Sequence, residues 1–254
     1  MQLYAMLPLE SCVLQNPRID GKGLYSTGIM DRLRNLSMDR SRRSAADTSA
    51  KPAPAHSRQP TLMKVALVGD SQVGKTSLMV RYVEGSFDET QLRTQGVNFM
   101  ETSIALDGHD VVFSIWDIGG HTDSESMLPL VCNDAAALLL VFDLTRPATL
   151  EALRDWHRKA RTLNKCAMPV LVGCKYDGLL ELPVAELEHM CNAASRFAAA
   201  IDAPLIFSAP SVPINVTNIF KVILIRLLGL LPAVPLLTQP GEPLLIVRCL
   251  ARLG

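Results

Sequence analysis

One run of residues constrains the fold more than any other. It reads Met63-Lys64-Val65-Ala66-Leu67-Val68, then Gly69-Asp70-Ser71-Gln72-Val73-Gly74-Lys75-Thr76, then Ser77-Leu78-Met79-Val80. The first part is nearly unbroken in apolar character, as a parallel strand buried on both faces requires. The second fits G-x-x-x-x-G-K-[ST]. In the third, Leu78 and Tyr82 stand four apart, neighbours on a helix. A strand that passes through a glycine-bounded loop into a helix start is the context this motif demands.

The chemistry of the loop follows from its residue types. Gly69 and Gly74 let the backbone wrap a polyphosphate in conformations that a Cβ would oppose. Amides over Asp70, Ser71, Gln72 and Val73 then point inward. The helix N-terminus at Thr76 and Ser77 adds its partial positive charge. Lys75 supplies a point charge for β- and γ-phosphates, and the Thr76 hydroxyl is placed to ligate Mg²⁺. The motif by itself says nucleotide without saying which.

Composition narrows the class. An apolar content of 48% supports a sizeable core, and 25 basic residues balance 25 acidic ones. That balance gives no general reason to expect nucleic acid or an anionic membrane as partner. Cys12, Cys132, Cys166, Cys174, Cys191 and Cys249 are scattered without a C-x-x-C pair, which suits thiols in a reducing compartment and argues against zinc. No secretory signal stands at the start. The most apolar late stretch, 222–237, is interrupted by Arg226, Pro232 and Pro235, and falls short of the ~20 clean apolar residues of a spanning helix. The chain lacks a prenylation box and the myristoyl signal. The expectation is a soluble, cytoplasmic chain without integral membrane association.

Three segments follow from the pattern. Residues 1–60 carry nine Lys/Arg against five Asp/Glu, rich in Ser and Pro and without apolar periodicity, which predicts a disordered basic extension. Residues 61–230 alternate strands with helices. Beyond the first helix, Met100, Ile104 and Leu106 alternate as in a strand, Asp107-Gly108 signals a hairpin turn, and Val111, Phe113 and Ile115 alternate again. Buried strands are expected over 135–142, 169–172 and 205–207, with helices around 150–163 (Thr149 as N-cap), 184–198 and 215–230. Residues 231–254 form an apolar, proline-containing tail with no assigned role. The predicted fold is α/β: a doubly wound, mostly parallel six-stranded sheet with one antiparallel edge strand. The glycine loop, Asp117, Lys175 and Ser208 all follow strand C-termini, where an open parallel sheet forms its ligand crevice.

Taken in order, these elements resemble the small GTPases of the Ras superfamily. Residues 69–76 match the P-loop, and Thr94 stands where the superfamily has its switch-I threonine. Asp117-Ile118-Gly119-Gly120 matches D-x-x-G, Cys174-Lys175-Tyr176-Asp177 resembles N-K-x-D, and Ser208-Ala209 resembles the start of S-A-K. Finer wording is similar to the septum-promoting GTPase family: Tyr82-Val-Glu-Gly-Ser-Phe-Asp88, Gly96-Val-Asn-Phe-Met-Glu101 and Phe113-Ser-Ile-Trp-Asp117. That resemblance implies GTP/GDP and Mg²⁺ as ligands. It also implies a guanine-nucleotide exchange factor, a GTPase-activating protein and an effector in a kinase pathway as partners. Action in cytokinesis, at spindle poles or microtubule-organising centres, is implied too.

The resemblance assigns roles. Asp177 accepts hydrogen bonds from guanine N1–H and the 2-amino group. Adenine lacks that donor pair, so discrimination is large. The Lys175 stem lies along the base, and the Ala209 N–H serves the guanine carbonyl. Thr76 and Thr94 ligate Mg²⁺, with Asp117 behind them. Gly120 and Thr94 sense the γ-phosphate. Lys75 and His121 are the catalytic candidates. Three positions depart from the pattern: His121 replaces the water-orienting glutamine, Cys174 replaces the asparagine of N-K-x-D, and Pro210 replaces the lysine of S-A-K. They predict slow hydrolysis. They also keep open a scaffold with little or no hydrolysis, and, further off, a P-loop kinase or ATPase.

Overall fold

A computed structural model describes residues 60–106, 109–179, 181–229 and 245–246. The chain divides into two units, Met1–Ser57 and Arg58–Gly254, and every described residue lies in the second. The predicted disordered extension, the Asp107-Gly108 turn and most of the 231–254 tail therefore fall outside the described residues.

Strand β1 (Thr61–Val68) enters the loop of the opening motif and continues into α1 (Lys75–Glu84). Strands β2 (Val97–Leu106) and β3 (His109–Ile118) pair antiparallel, and β3 returns parallel to β1. A 3₁₀ turn over Thr122–Met127 leads into the short helix α2 (Leu128–Cys132). Then come β4 (Ala137–Asp143), α3 (Pro147–Leu163), β5 (Met168–Cys174), α4 (Tyr176–Leu179), α5 (Val184–Ala200), β6 (Leu205–Phe207) and α6 (Val216–Leu227). The six predicted strands are all present, and two residues of the tail add a seventh, β7 (Leu245–Ile246), antiparallel to β6. The order is β2-β3-β1-β4-β5-β6-β7.

The core explains that order. Alternate residues of β1 and β4 face opposite layers: Ala66, Val68, Leu138, Leu140 and Phe142 join the cluster under α2, α3 and α5. Val65, Leu67, Leu139 and Val141 join the cluster under α1 and α6. Both central strands are buried on both faces, hence their unbroken apolar runs. After β1 the chain winds to one side, and after β3 it crosses to the other. The crevice at this reversal opens beyond the C-terminal end of β1, where the glycine loop sits.

One local expectation is corrected. Helix α3 begins at Pro147 with Arg146 as N-cap, so Thr149 lies inside its first turn. Proline at the first helical position was the stronger start signal. Thr149 Oγ1 instead accepts the Asp143 N–H at 3.0 Å and donates to the Arg146 carbonyl at 2.7 Å.

Candidate functional site: a phosphate-and-base rim

The loop takes its shape from close approach. Gly69 has φ 143°, and a Cβ there would stand 2.1 Å from the Val141 carbonyl oxygen. No side chain fits. Gly74 (φ 103°) caps α1. Val73 is buried in the core, which fixes the loop from beneath. Asp70 Oδ1 accepts the Trp156 indole N–H at 2.9 Å, so its side chain anchors the loop to α3. Arg146 Nη2 donates to the Ser71 and Gln72 carbonyls, each at 3.1 Å. The loop is thus held through Val73, the Asp70 side chain and the Ser71 and Gln72 carbonyls.

Lys75 is 5% exposed. Its ammonium donates to the Gly69 and Asp70 carbonyls, both at 2.7 Å. Burial lowers its pKa, against the pull of Asp117 and Asp70. Thr76 Oγ1 donates to Asp117 Oδ2 at 2.5 Å and stands 2.6 Å from Thr94 Oγ1. Thr94 Oγ1 in turn lies 3.3 Å from Asp117 Oδ2. Burial raises the Asp117 carboxyl, with Lys75, Thr76 and Thr94 opposing. Its second oxygen, Oδ1, is buried with no hydrogen-bond partner. An orphaned carboxylate oxygen beside two hydroxyls fits a hard divalent cation such as Mg²⁺. Among the described residues no group of three His, Cys, Asp or Glu could hold a metal, so phosphates would have to complete such a site.

The segments that carry Thr94 and Gly120 converge here. Gly119 N–H donates to the Gly96 carbonyl at 2.8 Å. A Cβ on Gly119 would meet the Thr94 carbonyl at 2.6 Å, and one on Gly120 would meet the Asp70–Ser71 backbone at 2.1 Å. Both glycines are required by contact. A cavity of about 270 Å³ is lined by Ser71, Gln72, Gly74, Lys75, Thr76, Ser77, Arg93, Thr94, Gly120 and Lys175 among others. His121 is exposed and outside that lining. A larger recess of about 490 Å³ around Lys64, Leu130 and Asp134 sits toward the other end of β1, away from all of these groups.

The base end is built differently. Cys174 is fully buried, and a Cβ on Gly74 would meet its Cβ at 3.3 Å. Packing stands here in place of an amide's hydrogen bonds. Burial pushes the Cys174 thiol up to about 12, so it is inert. Lys175 adopts φ 62° and its ammonium pairs with Asp143 Oδ2 at 2.7 Å. Asp177 is exposed, and its Oδ2 accepts the Ser211 hydroxyl at 2.7 Å. Ser208 and Ala209 are buried, and Ser208 Oγ donates to the Ile214 carbonyl at 2.9 Å. The Ala209 N–H donates to the Ile214 carbonyl at 3.2 Å, and the Ile214 N–H returns to the Ala209 carbonyl at 3.1 Å. A guanine carbonyl would share or replace the Ile214 carbonyl at that amide.

Sequence reasoning missed Asp143, Arg146, Trp156, Arg81 and Ser211. Asp143 had a signal, a carboxylate ending a buried strand on the ligand rim. It takes hydrogen bonds from Lys175, Thr145 and Arg146.

Comparison with known proteins agrees with this geometry. The Ras family model matches residues 64–228. Septum-promoting GTP-binding protein 1 of Schizosaccharomyces pombe is 46% identical over 183 residues, covering 72% of this chain and 92% of that protein. Ras-related protein Rab-18 of Caenorhabditis elegans is 33% identical over 132 residues, covering 52% of this chain and 60% of that protein. Its counterpart in Caenorhabditis briggsae matches to the same extent. The chain belongs to the Ras family of small GTPases, GTP-binding switches that hydrolyse GTP.

Proposed function

We propose that this switch reads the γ-phosphate through Thr94 and selects guanine through Asp177, and that it hydrolyses GTP slowly. The contact of Thr94 with Thr76 and Asp117 carries the reading. It brings three oxygen groups together around one orphaned carboxylate oxygen. Thr76, Thr94 and Asp117 would hold Mg²⁺, which when bound neutralises β- and γ-phosphate charge. Lys75 would leave the two loop carbonyls for phosphate oxygens, and the amides of 70–77 would surround them. Loss of the γ-phosphate would free the Thr94 and Gly120 loops together, since Gly119, beside Gly120, is bonded to Gly96 and packed against Thr94.

Slow hydrolysis is supported by His121, which stands exposed outside the cavity. The same observation favours a second reading, a GTP-loaded scaffold that barely turns over. Exchange factor, activating protein and effector are the partner classes of the family. The relative's name, septum-promoting, supports a role in cell division. We extend it to signalling upstream of protein kinases, in the cytoplasm and at spindle poles. Among the described residues no helix is long and apolar enough to cross a membrane.

The test is extraction of nucleotide from freshly purified protein and its identification by chromatography. GTP or GDP is expected, with release on chelation of divalent cations. ATP or ADP would replace this reading by a kinase or ATPase. Single-turnover phosphate release separates switch from scaffold.

A further inference from the structure

Arg81 lies seven residues along α1 from Gly74, well away from the phosphate groups. Its guanidinium spans the space between α1 and the loop after β6. Nε donates to the Pro210 carbonyl at 2.6 Å, and Nη2 to the Ser211 carbonyl at 2.9 Å. Nη1 donates to the Gly85 carbonyl at 2.8 Å. Two consecutive loop carbonyls converge on one planar fork, which an ammonium would not reproduce. Pro210 has no N–H of its own, and Ser211 is the residue whose hydroxyl holds Asp177 Oδ2 at 2.7 Å. A continuous chain of bonds therefore runs from Arg81 through the 210–211 backbone to the Asp177 carboxylate.

We propose that Arg81 is a positioning residue for base selection. It fixes the Ser211 hydroxyl, which in turn orients Asp177 toward the guanine edge. Arg81 is half-buried, and its fork ties α1 to the loop in which Pro210 replaces the lysine of the family pattern. This rests on the reading of Asp177 as the guanine selector. The guanidinium also leaves the phosphate groups untouched, so its loss acts on the base and not on the phosphates.

The discriminating probe is the ratio of GDP to IDP affinity, because inosine lacks the 2-amino donor that Asp177 would accept. Fluorescent-analogue displacement on the full chain measures both nucleotides for the unmutated protein, Arg81→Lys and Ser211→Ala. In Arg81→Lys the GDP/IDP ratio is expected to fall by about fivefold or more, since a misaligned charge-assisted bond loses most of its worth. Ser211→Ala is expected to fall in the same direction, and it serves alone if Arg81→Lys does not fold. Should both nucleotides weaken by one common factor in step with melting temperature, Arg81 is merely structural and the proposal is overturned. An unmutated protein with equal affinity for GDP and IDP overturns the Asp177 reading, and the Arg81 role with it.

Discussion

The two ends of the rim are held by different means. At the phosphate end, glycines at contact distance shape the loop, the Lys75 ammonium rests on the Gly69 and Asp70 carbonyls, and Asp117 keeps one buried oxygen without a hydrogen-bond partner. At the base end, Cys174 packs, Ala209 and Ile214 bond each other, Lys175 is paired to Asp143 and Asp177 is held by Ser211. One end keeps an unsatisfied carboxylate oxygen; at the other the named groups are paired within the chain. The difference teaches where ligand affinity should reside. A polar group unsatisfied in the empty protein gains its full hydrogen bond on binding, whereas a satisfied one only exchanges partners.

The largest expected effect comes from Lys75→Ala, because its ammonium would exchange two neutral carbonyls for charged phosphate oxygens. Charge-assisted bonds contribute about 1.5–3 kcal/mol each, so triphosphate affinity should fall at least about tenfold, read by titration calorimetry. An unchanged affinity would remove the loop from the mechanism.

Asp143 probes the bond that holds the Lys175 ammonium at the base end. Burial alone would raise its carboxyl, yet the hydrogen bonds from Lys175, Thr145 and Arg146 outweigh it and hold the pKa below the ordinary carboxylate value. A depressed folded-state pKa contributes stability above the unfolded value of about 3.9. That contribution is lost as pH falls through the lower folded value. Asp143→Asn should therefore lower stability near neutral pH by about 1–3 kcal/mol and flatten the acid limb of a denaturation series. Equal acid limbs in both proteins would refute the network's role.

Cys174→Asn asks whether packing is a full substitute for an amide. One added neutral hydrogen bond is worth about 0.5–1.5 kcal/mol, so GDP dissociation should slow by roughly two- to tenfold, measured by analogue displacement. No change would mean that the base end is already tied as firmly as it can be.

His121→Gln should have the smallest effect. Glutamine offers a donor and an acceptor to the attacking water, so single-turnover hydrolysis should rise by about a few-fold from a rate at or below ~10⁻⁴ s⁻¹. A fast unmutated protein that ignores the substitution would show that residue 121 does not stand at the γ-phosphate.

What was legible in the sequence divides along the same line. Glycines needed for backbone contact, and unbroken strands such as 137–143, write themselves into residue type and order. So did Thr94 and Asp117, whose spacing from the loop the fold turned into hydroxyl–carboxylate contact. The base end was less legible because its bonds are made by backbone carbonyls of Pro210, Ser211 and Ile214, which any residue supplies. Arg81 meets its partners 129 and 130 positions away, a separation that no local pattern marks. The Ala209 N–H, bonded to the Ile214 carbonyl, shows the same limit. A motif fragment names the residue, but whether its N–H is free depends on a turn closed five residues later.

The bond between Trp156 and Asp70 has a practical side. The chain contains two tryptophans. The indole of one donates to the glycine-loop carboxylate. The other, Trp116, is stacked on Phe99 at 5.3 Å and lies beneath the Lys64 ammonium at 4.4 Å, one residue before Asp117. Tryptophan emission from this protein thus comes from two rings, each attached to a segment that loading with nucleotide would disturb. Ultraviolet fluorescence should follow exchange and hydrolysis in real time with no dye attached. Replacing either ring by phenylalanine would assign the signal to the loop or to the strand.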